Sequence, residues 1–184
     1  MKKSLFALVF AILVGGLLGS SLFADDNRDT LVRFRGGIGA IAVSNVSGTQ
    51  NANGSFPDVT RNVVRNVNPA GQLWVIDKLD ARVKTDGGIQ VIGRGLILGG
   101  GNNAGRATGQ SVFATLICEA AAPFTERSTN LTGVPLSPEG NFKINDELSP
   151  APPADCASPM LLIRNAPGGT WFAVGILKLD SKSD

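Results

Sequence analysis

The sequence predicts an all-β fold: an antiparallel β-sandwich or small barrel of about eight or nine strands, of immunoglobulin-like or Greek-key type. No stretch after residue 24 repeats its apolar residues with the period of a helix. Short apolar or alternating runs recur instead, and turn residues separate them. The 184-residue chain contains 23 glycines and 10 prolines, which supply those turns. We therefore expect a single β-sandwich domain over residues 25–184.

In the first half of this domain, alternating or apolar runs predict strands at 31–35, 38–43, 73–77, 79–84 and 89–98, with an edge segment at 60–68. The pair Gly36-Gly37 is expected to end the first strand. The segment 44–58 is rich in Ser, Asn and Gly, which predicts a long polar loop or a poorly ordered excursion of the chain. Asp86-Gly87-Gly88 predicts a hairpin turn, because glycine adopts the positive φ that tight turns require. Gly93 and Gly95 in the next strand indicate a bulge or a close approach of another backbone.

In the second half, apolar runs predict strands at 111–118, 160–164 and 170–177. The segment 127–136 leads to a turn at 137–140, and a second turn is expected at 166–169. A glycine-rich loop is expected over 99–109, and a proline-rich loop over 149–159. One further strand is predicted between these two loops, and its alternate residues lie on a single face: Phe142, Ile144, Asp146 and Leu148.

The first 24 residues are typical of a cleaved secretory signal peptide. Lys2 and Lys3 precede an uncharged apolar stretch over 5–18, and small residues follow near two candidate cleavage positions, after Ala24 or after Ser21. The apolar stretch is shorter than the ~20 residues of a spanning helix, which disfavours an uncleaved anchor. We expect a secreted or periplasmic bacterial protein without membrane contact after cleavage.

Two cysteines, Cys118 and Cys156, remain in the mature chain, and an even count in an exported protein predicts one disulfide. The formal net charge of +2 comes entirely from Lys2 and Lys3. The mature chain is therefore near neutral, with basic residues scattered along its sequence. This pattern predicts neither nucleic acid nor an anionic membrane as a partner.

The absence of histidine excludes a Ser–His–Asp triad, a Cys–His pair and histidine-ligated zinc. In the loop from Gly99 to Gly105, Gly100 and Gly105 have the separation found in a phosphate-binding loop, but Arg106 and Ala107 replace the required Lys and hydroxyl residue. Paired carboxylates remain the formal route to acid–base catalysis, but nothing in the sequence pairs any two of the glutamates Glu119, Glu126, Glu139 and Glu147. We expect no enzymatic activity, no catalytic residue and no cofactor.

Three other groups of residues admit a functional interpretation. Calcium would find oxygen ligands in three acidic groupings, although none has an EF-hand spacing: Asp25/Asp26/Asp29, Asp77/Asp80 and Asn145-Asp146-Glu147. Trp74 and Trp171 lie in apolar strands, where core packing is expected and carbohydrate stacking is the alternative. Three asparagines match the N-glycosylation pattern, which matters only in a eukaryote: Asn45, Asn53 and Asn130.

The stretch Val134-Pro-Leu-Ser-Pro-Glu-Gly-Asn-Phe-Lys-Ile144 resembles small exported sandwich modules, such as immunoglobulin-like and chordin-type domains. A wider pattern resembles uncharacterised exported β-sandwich proteins of environmental bacteria: Phe34-Arg-Gly-Gly-Ile-Gly39, Asn66-Val-Asn-Pro-Ala-Gly-Gln-Leu-Trp-Val75 and Gly168-Gly-Thr-Trp-Phe172. The resemblance implies export and no particular activity or site.

The sequence therefore favours an exported, non-enzymatic structural or protein-interaction module, which binds a protein partner or associates with itself. The alternative is a module that binds a small ligand, a carbohydrate or calcium through the loops 44–58 and 99–109.

Overall fold

The computed structural model describes residues 29–179, which contain thirteen β-strands and no helix. Among these residues no helix has the length and apolar character needed to cross a membrane. The strands are β1 (Thr30–Gly39), β2 (Val43–Ser47), β3 (Asp58–Arg61), β4 (Trp74–Val75), β5 (Lys78–Lys84), β6 (Gly88–Arg94), β7 (Ile97–Leu98), β8 (Ser111–Ile117), β9 (Arg127–Ser128), β10 (Val134–Pro135), β11 (Phe142–Glu147), β12 (Met160–Asn165) and β13 (Trp171–Leu177). The signal peptide expected over 1–24 lies outside the described residues.

Nine strands form one antiparallel sheet, in which eight follow the order β10-β8-β12-β13-β1-β5-β6-β11 and β9 pairs with β8. The sheet curls until its two ends approach, so it is nearly a closed barrel. Two links cross the gap: the backbone N–H of Asn130 donates to Asp146 Oδ2 at 2.8 Å, and Ser128 and Ser149 exchange backbone hydrogen bonds of 3.0 and 2.9 Å. The remaining strands form two small sheets, β2–β3 and β4–β7. The predicted all-β antiparallel fold is confirmed, and the continuous sheet favours the barrel over the sandwich.

The apolar core fills the inside of this curved sheet. Leu79, Ala81 and Val83 alternate along β5 and are all buried, as their spacing predicts. Strands β8 and β12 are buried on both faces, with Leu116, Leu161 and Ile163 fully inaccessible. Each such side chain stabilises the fold by about 1.5–3 kcal/mol relative to an exposed position.

Glycines shape the sheet at two predicted positions. Gly87 has φ +97° in the turn between β5 and β6, which confirms the expected hairpin. At Gly93 on β6, an added Cβ would lie 2.0 Å from the ring of Phe142 on β11. The close approach expected at Gly93 is therefore made by an aromatic side chain and not by a backbone.

Several predicted elements differ from the structure. Gly36-Gly37 does not end the first strand, because Gly36 (φ +91°) forms a bulge that lets β1 continue its pairing with β13. The strand expected at 73–77 is reduced to two residues, since it pairs only with the short β7. The strand expected at 89–98 is interrupted at Gly95 and becomes β6 and β7. Asp146 is exposed, unlike Phe142 and Ile144 before it on the strand, and its carboxylate accepts the Asn130 amide at the gap.

The segment 44–58, expected to be a polar loop, belongs to a β-hairpin made by β2 and β3. Its strands do not pack against the barrel, so its sequence lacks the apolar periodicity that would have predicted them.

Cys118 and Cys156 form the predicted disulfide, with their Cα atoms 4.7 Å apart. Cys118 follows the last residue of β8, and Cys156 lies in the proline-rich loop. The bond therefore ties this loop to the core of the sheet, and it is compatible with an oxidising compartment.

Candidate functional site

The hairpin of β2 and β3 projects from the barrel. Every residue of both strands is exposed, and the two strands form a sheet of their own. Their register pairs Val46 with Val59 and Ser47 with Asp58. Isolated two-stranded hairpins are marginally stable in water. A further strand or surface packed on this hairpin would therefore stabilise it.

The base of the hairpin is anchored to the barrel. The buried Ala40 donates its amide to Phe172 O at 2.8 Å and accepts the Trp74 amide at 2.9 Å. On the returning chain, the Asn62 amide donates to Ala42 O at 3.1 Å, and Arg61 Nη2 donates to Pro69 O at 2.7 Å. These bonds fix the direction in which the hairpin leaves the barrel.

The tip of the hairpin closes on itself. The Asn51 amide donates to Ser55 O at 2.8 Å, and Gln50 Nε2 donates to Gly54 O at 2.8 Å. Asn53 Oδ1 accepts from both the amide and the hydroxyl of Ser55. The tip thus satisfies many of its polar groups internally, and the strands behind it remain available for contact.

The hairpin and its base expose six large apolar side chains, which form what we call the hairpin patch: Ile41, Val43, Val46, Phe56, Val59 and Val63. Val46 and Val59 lie directly opposite each other, so both are on one face. Within residues 29–179, the outer edges of β2 and β3 pair with no other strand. Free edges beside apolar side chains are the features by which sheets add a strand from another chain.

A polar cluster surrounds the disulfide at one end of the barrel. Glu119 forms an ion pair with Arg127, whose Nη2 donates to Glu119 Oε1 at 2.9 Å. The hydrogen bond from Arg127, together with backbone hydrogen bonds from Thr125 and from Glu119 itself, lowers the pKa of Glu119 from 4.5 to about 2. Glu119 is therefore held as a carboxylate, which suits a structural ion pair and not a general acid.

Two of the other three glutamates also have local side-chain partners. Glu126 forms an ion pair with Arg164, which lies over the ring of Phe113. The hydroxyl of Ser137 donates to Glu139 and lowers the pKa of that carboxyl. Glu147 lies at the end of β11, on the wall of a groove.

The glycine-rich loop at 99–109 does not have the geometry of a phosphate site. The Gly99 amide donates to Leu73 O at 2.9 Å and the Gly105 amide to Leu98 O at 2.8 Å, so both are engaged within the protein. Strand β8 begins at Ser111, where a phosphate-binding loop would need a helix. The loop instead closes back on β7.

Two of the carboxylates in the acidic groupings proposed for calcium have local partners. Asp25 and Asp26 lie outside the described residues. Asp80 pairs with Lys78 at 2.8 Å. Asp146 accepts the amides of Asn130 and Glu147, at 2.8 and 2.9 Å. Among residues 29–179, no three acidic, histidine or cysteine side chains come together as metal ligands.

The two tryptophans are buried in the fold. Trp74 stacks on Phe172, with ring centroids 4.0 Å apart. Trp171 donates its indole N–H to Asn62 O at 3.1 Å. Core packing is therefore confirmed, and neither ring forms an exposed platform for a sugar. The asparagines of the three glycosylation patterns are all exposed: Asn45, Asn53 and Asn130.

Comparison with models of protein families, with curated proteins and with solved structures gives no match for this chain. The described residues by themselves define its class: an all-β protein with a nearly closed sheet, one disulfide and a projecting hairpin. Sequence reasoning missed the hairpin because polar residues dominate it. The available signal was the spacing of Val43 and Val46 before the glycine turn and of Phe56 and Val59 after it.

Proposed function

We propose that this chain is an exported, non-enzymatic interaction module that associates with a second copy of itself through the β2–β3 hairpin. The observation that carries the proposal is the hairpin patch on a projecting element with free strand edges. The signal-like N-terminus and the disulfide support action outside the cytoplasm.

The sequence of β3, Asp58-Val-Thr-Arg61, is suited to pairing with itself. When two copies lie antiparallel about the centre of this strand, Asp58 of each falls opposite Arg61 of the other. Opposite charges that face each other across strands stabilise the pair, and Val59 packs beside Thr60 of the other copy. The resulting contact is isologous and closes at a dimer.

The test is the mass of the mature protein in solution, measured by native mass spectrometry and sedimentation equilibrium. We expect a concentration-dependent dimer, and Val59→Lys should abolish it. The matched control is Leu131→Lys, because Leu131 is 60% exposed against 59% for Val59 and lies outside the hairpin. A wild-type protein that stays monomeric at its highest soluble concentration contradicts the proposal.

The register is tested by reversing a charge. Asp58→Arg places Arg opposite Arg61 of the other copy and should weaken the dimer more than Asp58→Asn, which removes the attraction without adding repulsion. Both variants keep Arg61, whose bond to Pro69 O anchors the hairpin. Circular dichroism checks that each variant keeps the fold. Equal dimer strength in the two variants would reject pairing along β3.

A further inference from the structure

The outer face of four neighbouring strands is cationic. Strands β1, β5, β6 and β11 lie side by side, and their buried residues alternate with outward-facing polar ones. Eight of the thirteen lysines and arginines between residues 29 and 179 lie on this face or at its margin, and we call them the basic face: Arg33, Arg35, Lys78, Arg82, Lys84, Arg94, Lys143 and Lys178. These residues are therefore scattered along the sequence but lie close together in the fold.

Like charges are placed directly opposite each other on this face. The register pairs Arg33 with Arg82 across β1 and β5, and Lys78 with Arg94 across β5 and β6. Such cross-strand pairs are unfavourable, since the two cations repel. An anion bound between two such residues interacts favourably with both cations.

Within residues 29–179, the outward positions of these four strands carry fewer acidic than basic side chains. Asp80 and Glu147 are the acidic residues among the outward positions of the four strands, and Asp80 is engaged with Lys78. Seven of the eight cations occupy outward positions of the four strands, so these positions carry an excess of positive charge. Such an excess attracts polyanions.

A groove runs through the basic face. It has a volume of about 270 Å³, and its wall includes Arg33, Arg35, Lys178 and the exposed Ile92. The register places Gln90 of β6 opposite both Arg82 of β5 and Asn145 of β11. A row of cross-strand neighbours therefore runs from Arg82 to these two amide side chains. Four neighbouring strands span about 15 Å, which is long enough for a polymer segment.

We propose that the basic face binds an acidic polysaccharide, an extended polymer with carboxylate or sulfate groups. The guanidinium groups of Arg33 and Arg35 match the two oxygens of a carboxylate, and sulfate offers comparable acceptors. Gln90 and Asn145 carry both donors and acceptors, which suits the hydroxyl groups of sugars.

Two other polyanions fit this face less well. No aromatic side chain is exposed among the residues that form the basic face and its groove, so the bases of a single strand would find nothing to stack on. Ile92 is the one large exposed apolar side chain in the groove, which gives little area for insertion into a lipid surface.

The test is binding of the purified mature chain to sodium alginate, a polymer of uronate sugars, with neutral dextran as the reference polymer. We expect alginate to bind, dextran not to bind, and the affinity to fall as NaCl rises. The double variant Arg35→Gln/Arg94→Gln removes two exposed cations of the face and should weaken binding roughly tenfold or more. The control Arg106→Gln removes an exposed cation from the glycine-rich loop and should leave the affinity within about twofold.

Two results would overturn the proposal: no binding of alginate at low salt, or equal losses in the double variant and in Arg106→Gln. A DNA duplex and phosphatidylglycerol vesicles are measured in parallel. Binding to either of them through the same arginines, without alginate binding, would reject the polysaccharide class. Val59→Lys should retain alginate binding, so this proposal and self-association through the hairpin can fail separately.

Discussion

Arg65 and Ser158 are 93 residues apart in the sequence and are joined by two hydrogen bonds. Arg65 Nη1 donates to the carbonyl oxygen of Ser158 at 2.6 Å, and Nη2 donates to its hydroxyl at 2.7 Å. Nη1 also donates to Ile117 O at 2.9 Å, and the Ser158 amide donates to Cys118 O at 2.9 Å. One guanidinium therefore fastens the cysteine-containing loop to the end of β8, beside the disulfide.

This contact depends on an uncommon backbone conformation. Arg65 and Asn66 have φ of +46° and +68°, in a tight turn closed by the backbone bonds between Val64 and Val67. A positive φ is uncommon for arginine, whereas asparagine tolerates it well. The hydrogen bonds of the side chain offset the strain of the turn.

Arg65→Asn should lower the free energy of unfolding by about 1–3 kcal/mol, because it keeps the turn and removes the charged hydrogen bonds. Urea unfolding followed by tryptophan fluorescence measures the change. Arg106→Gln serves as a control, since it removes an arginine without comparable side-chain bonds. Equal stability of Arg65→Asn and the wild type would show that the contact does not stabilise the fold.

Loss of the disulfide should destabilise the protein more strongly. Cys118 and Cys156 are 38 positions apart, and closing a loop of that length stabilises the folded state by about 3–4 kcal/mol. Cys118→Ser/Cys156→Ser should therefore melt well below the wild type, as measured by calorimetry. Free thiols in the exported protein, or unchanged melting of the double variant, would contradict this prediction.

The ion pair of Glu119 with Arg127 should make stability depend on acid pH. The pKa of Glu119 is lowered in the folded state, so the carboxylate stabilises the fold fully above its ordinary pKa of 4.5. This contribution is lost as the pH falls from 4.5 towards about 2. Urea midpoints of the wild type and Glu119→Gln should therefore converge over this range. A constant difference between them at every pH would exclude this carboxylate as the source.

Gly93→Ala should destabilise the barrel by about 1–3 kcal/mol, because the new methyl group would overlap the ring of Phe142. Gly100→Ala should be nearly neutral, since nothing lies within 4 Å of a Cβ at that position. Thermal melts compare the two variants. Adding Phe142→Leu to Gly93→Ala should cost less than the sum of the two single changes. Simple additivity would indicate that the ring is not the obstacle.

The sequence alone determined the elements whose side chains alternate against one core. Leu79, Ala81 and Val83 on β5 are an example. Burial of one face makes apolar residues alternate along a strand, and this alternation can be recognised without knowing which strand lies beside it. The turn at Gly87 follows from the φ that glycine permits, and the pairing of Cys118 with Cys156 follows from there being two cysteines in the mature chain.

The tertiary structure decided which strands are neighbours, and both proposed surfaces depend on that. Arg33 and Arg82 alternate with buried residues in their own strands, but only the pairing of β1 with β5 places them opposite each other. The apolar residues of the hairpin do not alternate towards a core, because β2 and β3 are exposed along their whole length. Their mutual hydrogen bonds define them as strands. Alternation within a strand is local and can be read from the sequence, whereas strand order joins residues far apart and is set by the packing of the whole sheet.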